Sequence, residues 1–318
     1  VRAHQDYIHA ITFDPRGTTI ATGGIDGHVR IFDVRSLALL RDVKVEGGGS
    51  DLQFDSLGLN LACVTTTGKV TTIGILSDRV VVTMLPNDVS QMFGEAKLAH
   101  GPQDELFVAA NEHFYGFGTS STSDTRTRPS VTHGPNPIQA LAISKAGDVA
   151  ISTGLNKWLA NSLTPGNKGS ILLFNQRTQV SKTLKGHEAS VRALAFHKKK
   201  PLLASGSFDG TIVLWNTADG ALKKRIAAHS ADVLGLAFTS DGRYLASIGG
   251  DLVARLFDAE TGALAATLVG VGRKDFVMAR PDNTYFASKG GLRGVAFRQG
   301  THVFPFDQWD LQLNRPDK

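Results

Sequence analysis

Short apolar segments with alternating polarity recur along the whole chain, and Gly, Asp, Asn or Pro closes each of them. Three such segments are Tyr7–Phe13, Thr19–Gly23 and His28–Asp33. A period of two between turn residues predicts β-strands. No stretch of about 10 to 15 residues shows helical periodicity with caps, so parallel βαβ units are not expected. The pattern predicts an all-β fold.

The strand pattern repeats seven times, which predicts the architecture. The residues that end the first strand of each unit are Phe13, Phe54, His100, Ile143, Phe196, Phe238 and Ala279, with spacings of 41, 46, 43, 53, 42 and 41 residues. A period of about 40 to 45 residues with four short strands is typical of a β-propeller blade. We therefore predict a seven-bladed β-propeller with four-stranded antiparallel blades that close into a ring. It should occupy residues 1–307, with 308–318 as a tail or linker.

Three units share a finer pattern, in which a histidine, a hydroxyl residue, an aspartate and an aromatic residue follow one another at steps of 18, 4 and 6 residues. The sets are His4, Thr22, Asp26 and Phe32 in unit one, His187, Ser205, Asp209 and Trp215 in unit five, and His229, Ser247, Asp251 and Phe257 in unit six. This pattern resembles the WD-repeat β-propeller family, strongly in these units and weakly in units two, three and seven.

The resemblance implies that each set forms a buried polar network that holds its blade together. The residue types agree with this, because a buried aspartate must be hydrogen-bonded, and an imidazole and a hydroxyl are suitable partners. The other units depart from the set, with Cys63 and Thr67, Ala109 and His113, Ser152 and Asn156, and Ser288 and Leu292 at the hydroxyl and aspartate positions. We expect those blades to be held by apolar packing alone.

His187, Ser205 and Asp209 also have the residue types of a Ser-His-Asp triad. The same set recurs in three units, threonine replaces serine at Thr22, and no Gly-x-Ser-x-Gly elbow is present. We therefore predict a structural role, no catalytic residue and a chain that is not an enzyme. Neither a metal-ligand spacing nor a phosphate-binding glycine loop occurs, so no metal and no cofactor are predicted.

Composition narrows the class of protein. The chain has 42% hydrophobic residues and 34 glycines among 318 positions, but no apolar run near the roughly 18 residues of a membrane helix, so a folded protein without a membrane span is expected. The single cysteine, Cys63, has no internal disulfide partner, and no signal pattern is present, which favours the cytoplasm. A net charge of +5 is modest and scattered, so binding to nucleic acid is not expected.

Two insertions are candidate binding loops, because connections can lengthen while a ring fixes the strands. The segment Asn156–Gly169 accounts for the 53-residue spacing and begins with the candidate partner-binding residues Asn156, Lys157, Trp158 and Leu159. Tryptophan is enriched at interface centres, although Trp158 and Leu159 packing over the rim of the propeller remains an alternative. Thr119–Arg128 is rich in Ser, Thr and Asp and is expected to be flexible.

The function predicted from these features is a non-enzymatic scaffold or recognition module for a protein partner. The segment Phe304–Asp317, preceded by Phe286–Gly290, resembles the end of the propeller in bacterial WD-repeat proteins that carry a caspase-like peptidase further along. That resemblance implies a sensor or regulatory module attached to a peptidase domain beyond Lys318. Two alternatives remain: an enzyme with a site at the central channel, where His100 and His113 break the repeat pattern, and, less favoured, a nucleic-acid binder.

Overall fold

The fold is all-β, as predicted. The computed structural model describes residues 4–65, 67–84, 96–102, 104–110, 113–117, 138–153, 169–175, 178, 180–271, 275–282, 284–288, 291, 296–299 and 302–305. Within these residues the chain forms 27 β-strands and two compact units, residues 1–191 and 192–318.

The strands of the first unit form blades 1 to 4. Blade 1 contains β1 (Ile8–Phe13), β2 (Thr19–Gly24), β3 (His28–Asp33) and β4 (Leu39–Lys44), and blade 2 contains β5 (Gly49–Phe54), β6 (Asn60–Thr65), β7 (Lys69–Gly74) and β8 (Val80–Met84). Blade 3 contains β9 (Lys97–His100), β10 (Leu106–Ala110) and β11 (His113–Phe117). Blade 4 contains β12 (Ile138–Ile143), β13 (Asp148–Thr153), β14 (Ser170–Asn175) and β15 (Val180–Lys185).

The remaining strands follow in the same order. Blade 5 contains β16 (Val191–Phe196), β17 (Leu202–Ser207), β18 (Thr211–Asn216) and β19 (Leu222–Ala227), and blade 6 contains β20 (Val233–Phe238), β21 (Tyr244–Gly249), β22 (Val253–Asp258) and β23 (Leu264–Val271). The last strands are β24 (Asp275–Ala279), β25 (Tyr285–Ala287), β26 (Ala296–Gln299) and β27 (His302–Pro305).

The blades are antiparallel sheets of the propeller type, in which strands that follow each other in sequence are hydrogen-bonded neighbours. Blades 1, 2, 4, 5 and 6 each have four strands, whereas blade 3 has three in the described residues. Each of the seven residues that the repeat pattern aligned is the last residue of a strand, from Phe13 in β1 to Ala279 in β24. The repeat period therefore located the first strand of every unit.

The described strands form five four-stranded blades rather than the seven that the sequence predicted. Strands β24 and β25 extend the sheet of blade 6, where β24 pairs antiparallel with β23, and β26 and β27 form a separate two-stranded sheet. Three residues lie between β23 and β24. By comparison, four residues lie between β4 and β5 of successive blades, and five lie between β19 and β20. A connection this short favours a hairpin over the start of a new blade.

The core consists of layers between successive blades. In the first unit β1 contacts β5, β5 contacts β9 and β9 contacts β12, and in the second unit β17 contacts β20. One layer joins Val29 and Ile31 of blade 1 to Leu52, Leu61 and Ile73 of blade 2. A blade hides its apolar face only against its neighbour, which is why a single repeat is not a stable domain.

Two features show how tightly blade 1 packs on blade 2. A Cβ atom on Gly23 would lie 3.3 Å from the Cα atom of Gly49, so the two strands approach at glycines. Cys63 is buried in the same layer, and that burial raises the pKa of its thiol to about 12, with a further contribution from the charge of Asp51. The thiol is therefore protonated at neutral pH and packs as a small apolar group.

Candidate functional site

The polar set of blade 1 forms a closed network around a buried imidazole. His4 precedes β1, and its Nδ1 atom lies 2.8 Å from Asp26 Oδ1 while its Nε2 atom lies 2.8 Å from Thr22 Oγ1. Because a carboxylate only accepts, the pairing assigns the proton to Nδ1, and Nε2 then accepts from the threonine hydroxyl. The Asp26 side chain is 11% exposed and the His4 side chain is fully buried.

Blade 6 repeats this arrangement with serine in place of threonine. His229 Nδ1 lies 2.8 Å from Asp251 Oδ1, and His229 Nε2 lies 2.8 Å from Ser247 Oγ. The other carboxylate oxygen accepts from the backbone N–H of Ser230 at 3.3 Å. The equal distances in two blades agree with the equal sequence spacing of their residues.

Each of these networks contains an arginine that the sequence analysis missed. Arg30 Nη1 donates to Asp26 Oδ2 at 2.8 Å, and Arg255 Nη1 donates to Asp251 Oδ2 at 2.7 Å. A signal for them was present, because an arginine follows the aspartate by four residues in units one and six, whereas Val213 takes that position in unit five.

The arginines determine the charge state of the two aspartates. Burial by itself raises the pKa of Asp26 and of Asp251, but the hydrogen bonds from the arginine and the histidine outweigh burial and hold each pKa well below its usual range. Both carboxylates are ionised at neutral pH and are matched by a cation. They are arranged for stability and not for proton transfer.

Blade 5 uses its aromatic residue differently. Trp215 Nε1 donates to Ser205 Oγ at 2.7 Å, whereas Phe32 and Phe257 have no donor to offer at this position. Asp209 accepts from the backbone N–H and the hydroxyl of Thr211, at 2.9 and 2.6 Å. His187, which belongs to the first compact unit, is buried.

Blades 2 and 4 and the strands after blade 6 are not held by apolar packing alone, and that expectation was wrong for them. In blade 2, Thr67 Oγ1 lies 2.9 Å from Thr65 Oγ1 and donates to the carbonyl of Glu46 at 3.2 Å. Ser152 Oγ in blade 4 donates to the carbonyl of Val191 at 2.9 Å. Ser288 Oγ, which follows β25, donates to Asp275 Oδ1 at 2.7 Å. These hydroxyls are therefore hydrogen-bonded even where the histidine or aspartate is replaced.

The other candidate residues from the sequence contribute little to the description of this site. Asn156, Lys157, Trp158 and Leu159, the segment Thr119–Arg128 and the tail 308–318 lie outside the described residues. His100 Nδ1 lies 3.3 Å from the carbonyl of Asp104. Among the described side chains, no group of three or more His, Cys, Asp and Glu is placed to hold a metal. Nor does the described part of the chain contain a helix with the length and apolar character of a membrane span.

The networks are unsuited to nucleophilic catalysis because their hydroxyls are inaccessible. The side chains of Thr22, Ser205 and Ser247 are all buried, and each hydroxyl already has a partner within its blade. A substrate carbonyl would need open space beside the nucleophile and donors for the oxyanion. The geometry supports the structural role that the repetition of the set suggested.

Comparison with known proteins identifies these blades. Residues 1–33, 178–216 and 220–258 match the WD domain, G-beta repeat, and each match ends one residue after the aromatic member of a network. The three matched segments are similar to WD repeats. The matched segments carry the polar sets of blades 1, 5 and 6, which are the units where the sequence pattern was complete.

Several curated proteins with this repeat are similar to the chain. Protein hir1 of Schizosaccharomyces pombe is 27% identical over 235 residues, which cover 71% of this chain and 22% of hir1. COMPASS component SWD3 of Saccharomyces cerevisiae is 41% identical over 87 residues, covering 27% of the chain and 28% of SWD3. Pre-mRNA-processing factor 19 of Mus musculus is 34% identical over 101 residues, covering 31% and 20%.

The matches span between about a fifth and three tenths of the length of these relatives. They support the prediction of a WD-repeat protein with blades of the propeller type and agree with the prediction that this chain is not an enzyme. WD-repeat relatives point to a protein-interaction scaffold, which agrees with the coarse function that the sequence suggested.

The depressed pKa of Asp26 predicts how acid affects stability. A carboxylate whose pKa is lower in the folded state stabilises the fold fully above its unfolded pKa of about 3.9, and this contribution is lost as pH falls toward the folded value. Asp26→Asn should lower the free energy of unfolding by roughly 3 kcal/mol at pH 7, because it leaves buried His4 without its anion and removes one of the two carboxylates that pair with Arg30. Urea unfolding between pH 7 and pH 2.5 should show the gap to wild type narrowing below about pH 4.

Asp78→Asn is the matched control, because the Asp78 side chain is fully exposed. Its effect should stay within about 0.5 kcal/mol at every pH. A gap between Asp26→Asn and wild type that is constant from pH 7 to pH 2.5 would contradict the ionised network.

Proposed function

We propose that the chain is a scaffold that binds a protein partner through connections carried on rigid WD blades. The observation that carries this proposal concerns the polar networks in blades 1 and 6. Every member of each network is hydrogen-bonded within its own blade and so holds the strands together. Such blades offer no reactive group of their own, but they fix the positions of the loops that join them. The name of SWD3 as a component of COMPASS adds support from a relative, since it describes membership of an assembly.

We also propose that seven units close into a ring. The seven aligned strand ends support it, and so does an apolar face on the innermost strand of blade 1, where Ile8, Ile11 and Phe13 are exposed. Inner strands elsewhere in the first unit have such positions covered by the preceding blade, as with Leu52 and Leu98. Closure would give the β1 face a neighbour from the same chain.

The partner-binding loop that we propose is Asn156–Gly169, with Trp158 and Leu159 as its apolar contacts. Its support is the 53-residue spacing of unit four, the longest of the series, and the preference of tryptophan for interface centres. A loop inserted between two strands of a blade is free to carry such residues without disturbing the sheet.

A finer proposal concerns the parent protein, for which we infer a sensor module of a bacterial caspase-like peptidase in the cytoplasm. Its support is the similarity of the Phe304–Asp317 segment to the end of the propeller in such proteins. The coding sequence after Lys318 tests it: a domain with a His/Cys dyad supports the proposal, and a reading frame without one overturns it.

Ring closure is tested by placing a charge on the β1 face. Ile11 is 62% exposed in the described structure, so Ile11→Asp should be nearly neutral if that face is open and should cost roughly 3 kcal/mol or more if another blade covers it. We expect the larger loss in urea unfolding. Leu37→Asp, at an exposed turn position, is the control and should stay within about 0.5 kcal/mol. Equal, small effects of both variants would refute a closed ring.

The loop proposal is tested with Trp158→Ala. Partner capture by the immobilised chain should fall about tenfold or more, since loss of an interface tryptophan typically costs 2 kcal/mol or more in binding, while the melting temperature stays within about 2 °C of wild type. A collapse of thermal stability would instead assign Trp158 to packing over the rim. Lys157→Ala serves as the control within the same loop and should have a smaller effect on capture.

A further inference from the structure

The turn between β21 and β22 carries a leucine in a backbone conformation that suits glycine. Leu252 has a φ of 62°, and its N–H donates to the carbonyl of Gly249 at 3.1 Å. The corresponding turns of blades 1, 2 and 5 make the same hydrogen bond from Gly27, Gly68 and Gly210, whose φ values are 77°, 75° and 76°. Bulky side chains rarely adopt this region, because Cβ then crowds the backbone. Leu252 therefore strains a turn that three other blades build with glycine.

The Leu252 side chain gains little from its own chain in return for this strain. In blades 1 and 5 the connection to the next blade passes over the glycine. A Cβ atom on Gly27 would lie 3.3 Å from the carbonyl oxygen of Val45, and one on Gly210 would collide with the carbonyl of His229. The side chain of Leu252 is instead 87% exposed. Strain that the fold itself does not use is typical of binding positions.

Two other non-glycine residues have a positive φ in the described part of the chain, and contacts within the chain account for both better than for Leu252. Asp104 has a short polar side chain, which tolerates this conformation, and its carboxylate accepts from the N–H and the hydroxyl of Ser56 at 2.9 and 2.5 Å. Leu37 is 54% exposed, so its own blade covers a large part of it. Of the three, Leu252 has the least contact with its own chain.

A carboxylate without a partner lies beside this leucine. Asp232 precedes β20, and its backbone carbonyl accepts from the N–H of Gly250 at 2.8 Å. A Cβ atom on Gly250 would collide with Asp232 Oδ1, so the carboxylate lies over the turn that Leu252 belongs to. That carboxylate has no hydrogen bond or ion pair with the described residues, whereas the carboxylate of Asp251 is already paired with His229 and Arg255.

We propose that Leu252 inserts into an apolar pocket of a protein partner, and that a lysine or arginine at the rim of this pocket pairs with Asp232. Burial in the partner would give the leucine the apolar contact that its own chain does not supply. The turn holds the side chain in position before binding, so little ordering is needed when the complex forms. This inference rests on the proposed scaffold function and adds to it a contact residue and the chemistry of the partner.

The residues of the turn distinguish this occupant from others. A nucleic acid would be repelled by the free carboxylate of Asp232 and would leave Leu252 without a role. An anionic membrane surface attracts basic segments, and this turn carries acids. A protruding leucine beside a carboxylate is complementary to a concave apolar pocket with a basic rim.

Leu252→Gly separates a binding role from a structural one. Glycine adopts a positive φ without strain, so the melting temperature should rise by about 2 to 4 °C although an apolar side chain is lost. Leu37→Gly is the matched control, because it also removes a leucine with a positive φ from an exposed turn. A lower melting temperature of Leu252→Gly would assign Leu252 to packing within the chain, including a closed ring, and would overturn the proposal.

Photo-crosslinking identifies the partner and the site that it offers. The photoreactive residue p-benzoylphenylalanine replaces Leu252 in the full chain, which is irradiated in an extract of the organism that encodes it. The same replacement at Leu37 is the control. We expect position 252, and not position 37, to crosslink to one partner protein, at a segment in which apolar residues adjoin Lys or Arg.

Titration calorimetry with the purified partner then measures each contribution. Leu252→Gly should weaken binding about tenfold or more, because it removes a side chain that the complex buries, and Leu37→Gly should leave the affinity unchanged. Asp232→Asn keeps the backbone hydrogen bond to Gly250. It should lower the affinity several-fold and make binding less sensitive to salt than in wild type.

The proposal is overturned if position 252 gives no crosslink beyond that of position 37, or if Leu252→Gly leaves the affinity for the crosslinked partner unchanged. Crosslinks between two copies of the chain would assign Leu252 to self-association and would also overturn it. An unchanged affinity of Asp232→Asn refutes the basic rim. Failure here is distinguishable from failure of the scaffold function, because partner capture that depends on Trp158 would persist in Leu252→Gly.

Discussion

The rest of the structure depends on the hydrogen bonds and ion pairs that an ionised carboxylate makes inside a blade. In blades 1 and 6 that carboxylate connects the segment before the innermost strand, through His4 or His229, to the turn between the second and third strands. Burial penalises a charge heavily unless it is paired and hydrogen-bonded, so the aspartate is stable only when the blade around it is correctly assembled. The network therefore favours one arrangement of the strands over looser alternatives with similar apolar contacts.

The arginine in blades 1 and 6 and the tryptophan in blade 5 each supply a hydrogen-bond donor to the polar set of the blade. Residue 30 lies directly across the sheet from Thr22, and residue 255 lies directly across from Ser247, so an arginine there reaches the aspartate beside the hydroxyl. In blade 5 the residue opposite Ser205 is Val213, and the hydroxyl instead accepts from the indole of Trp215. In these three blades, phenylalanine at the aromatic position therefore occurs together with an arginine opposite the hydroxyl residue. Tryptophan at that position occurs with a valine opposite the hydroxyl residue.

Much of the fold could be predicted from the sequence, because the repeat period and the turn residues indicate directly where the strands lie. All seven aligned positions end a strand, and the spacing of the histidine, hydroxyl and aspartate is matched by contacts in blades 1 and 6. The spacing of Arg30 from Asp26 was a signal in the sequence, but the contact between them depends on cross-strand register, which a repeat period does not encode. The same limit explains β24: the period located this strand, but its pairing with β23 depends on a connection of three residues.

Loss of one network member does not remove the polar character of a blade. Blade 2 lacks the histidine and the aspartate, yet Thr65, Thr67 and the carbonyl of Glu46 satisfy one another. Unpaired buried polar atoms are costly wherever they occur, so substitution at one position selects for a new partner at another.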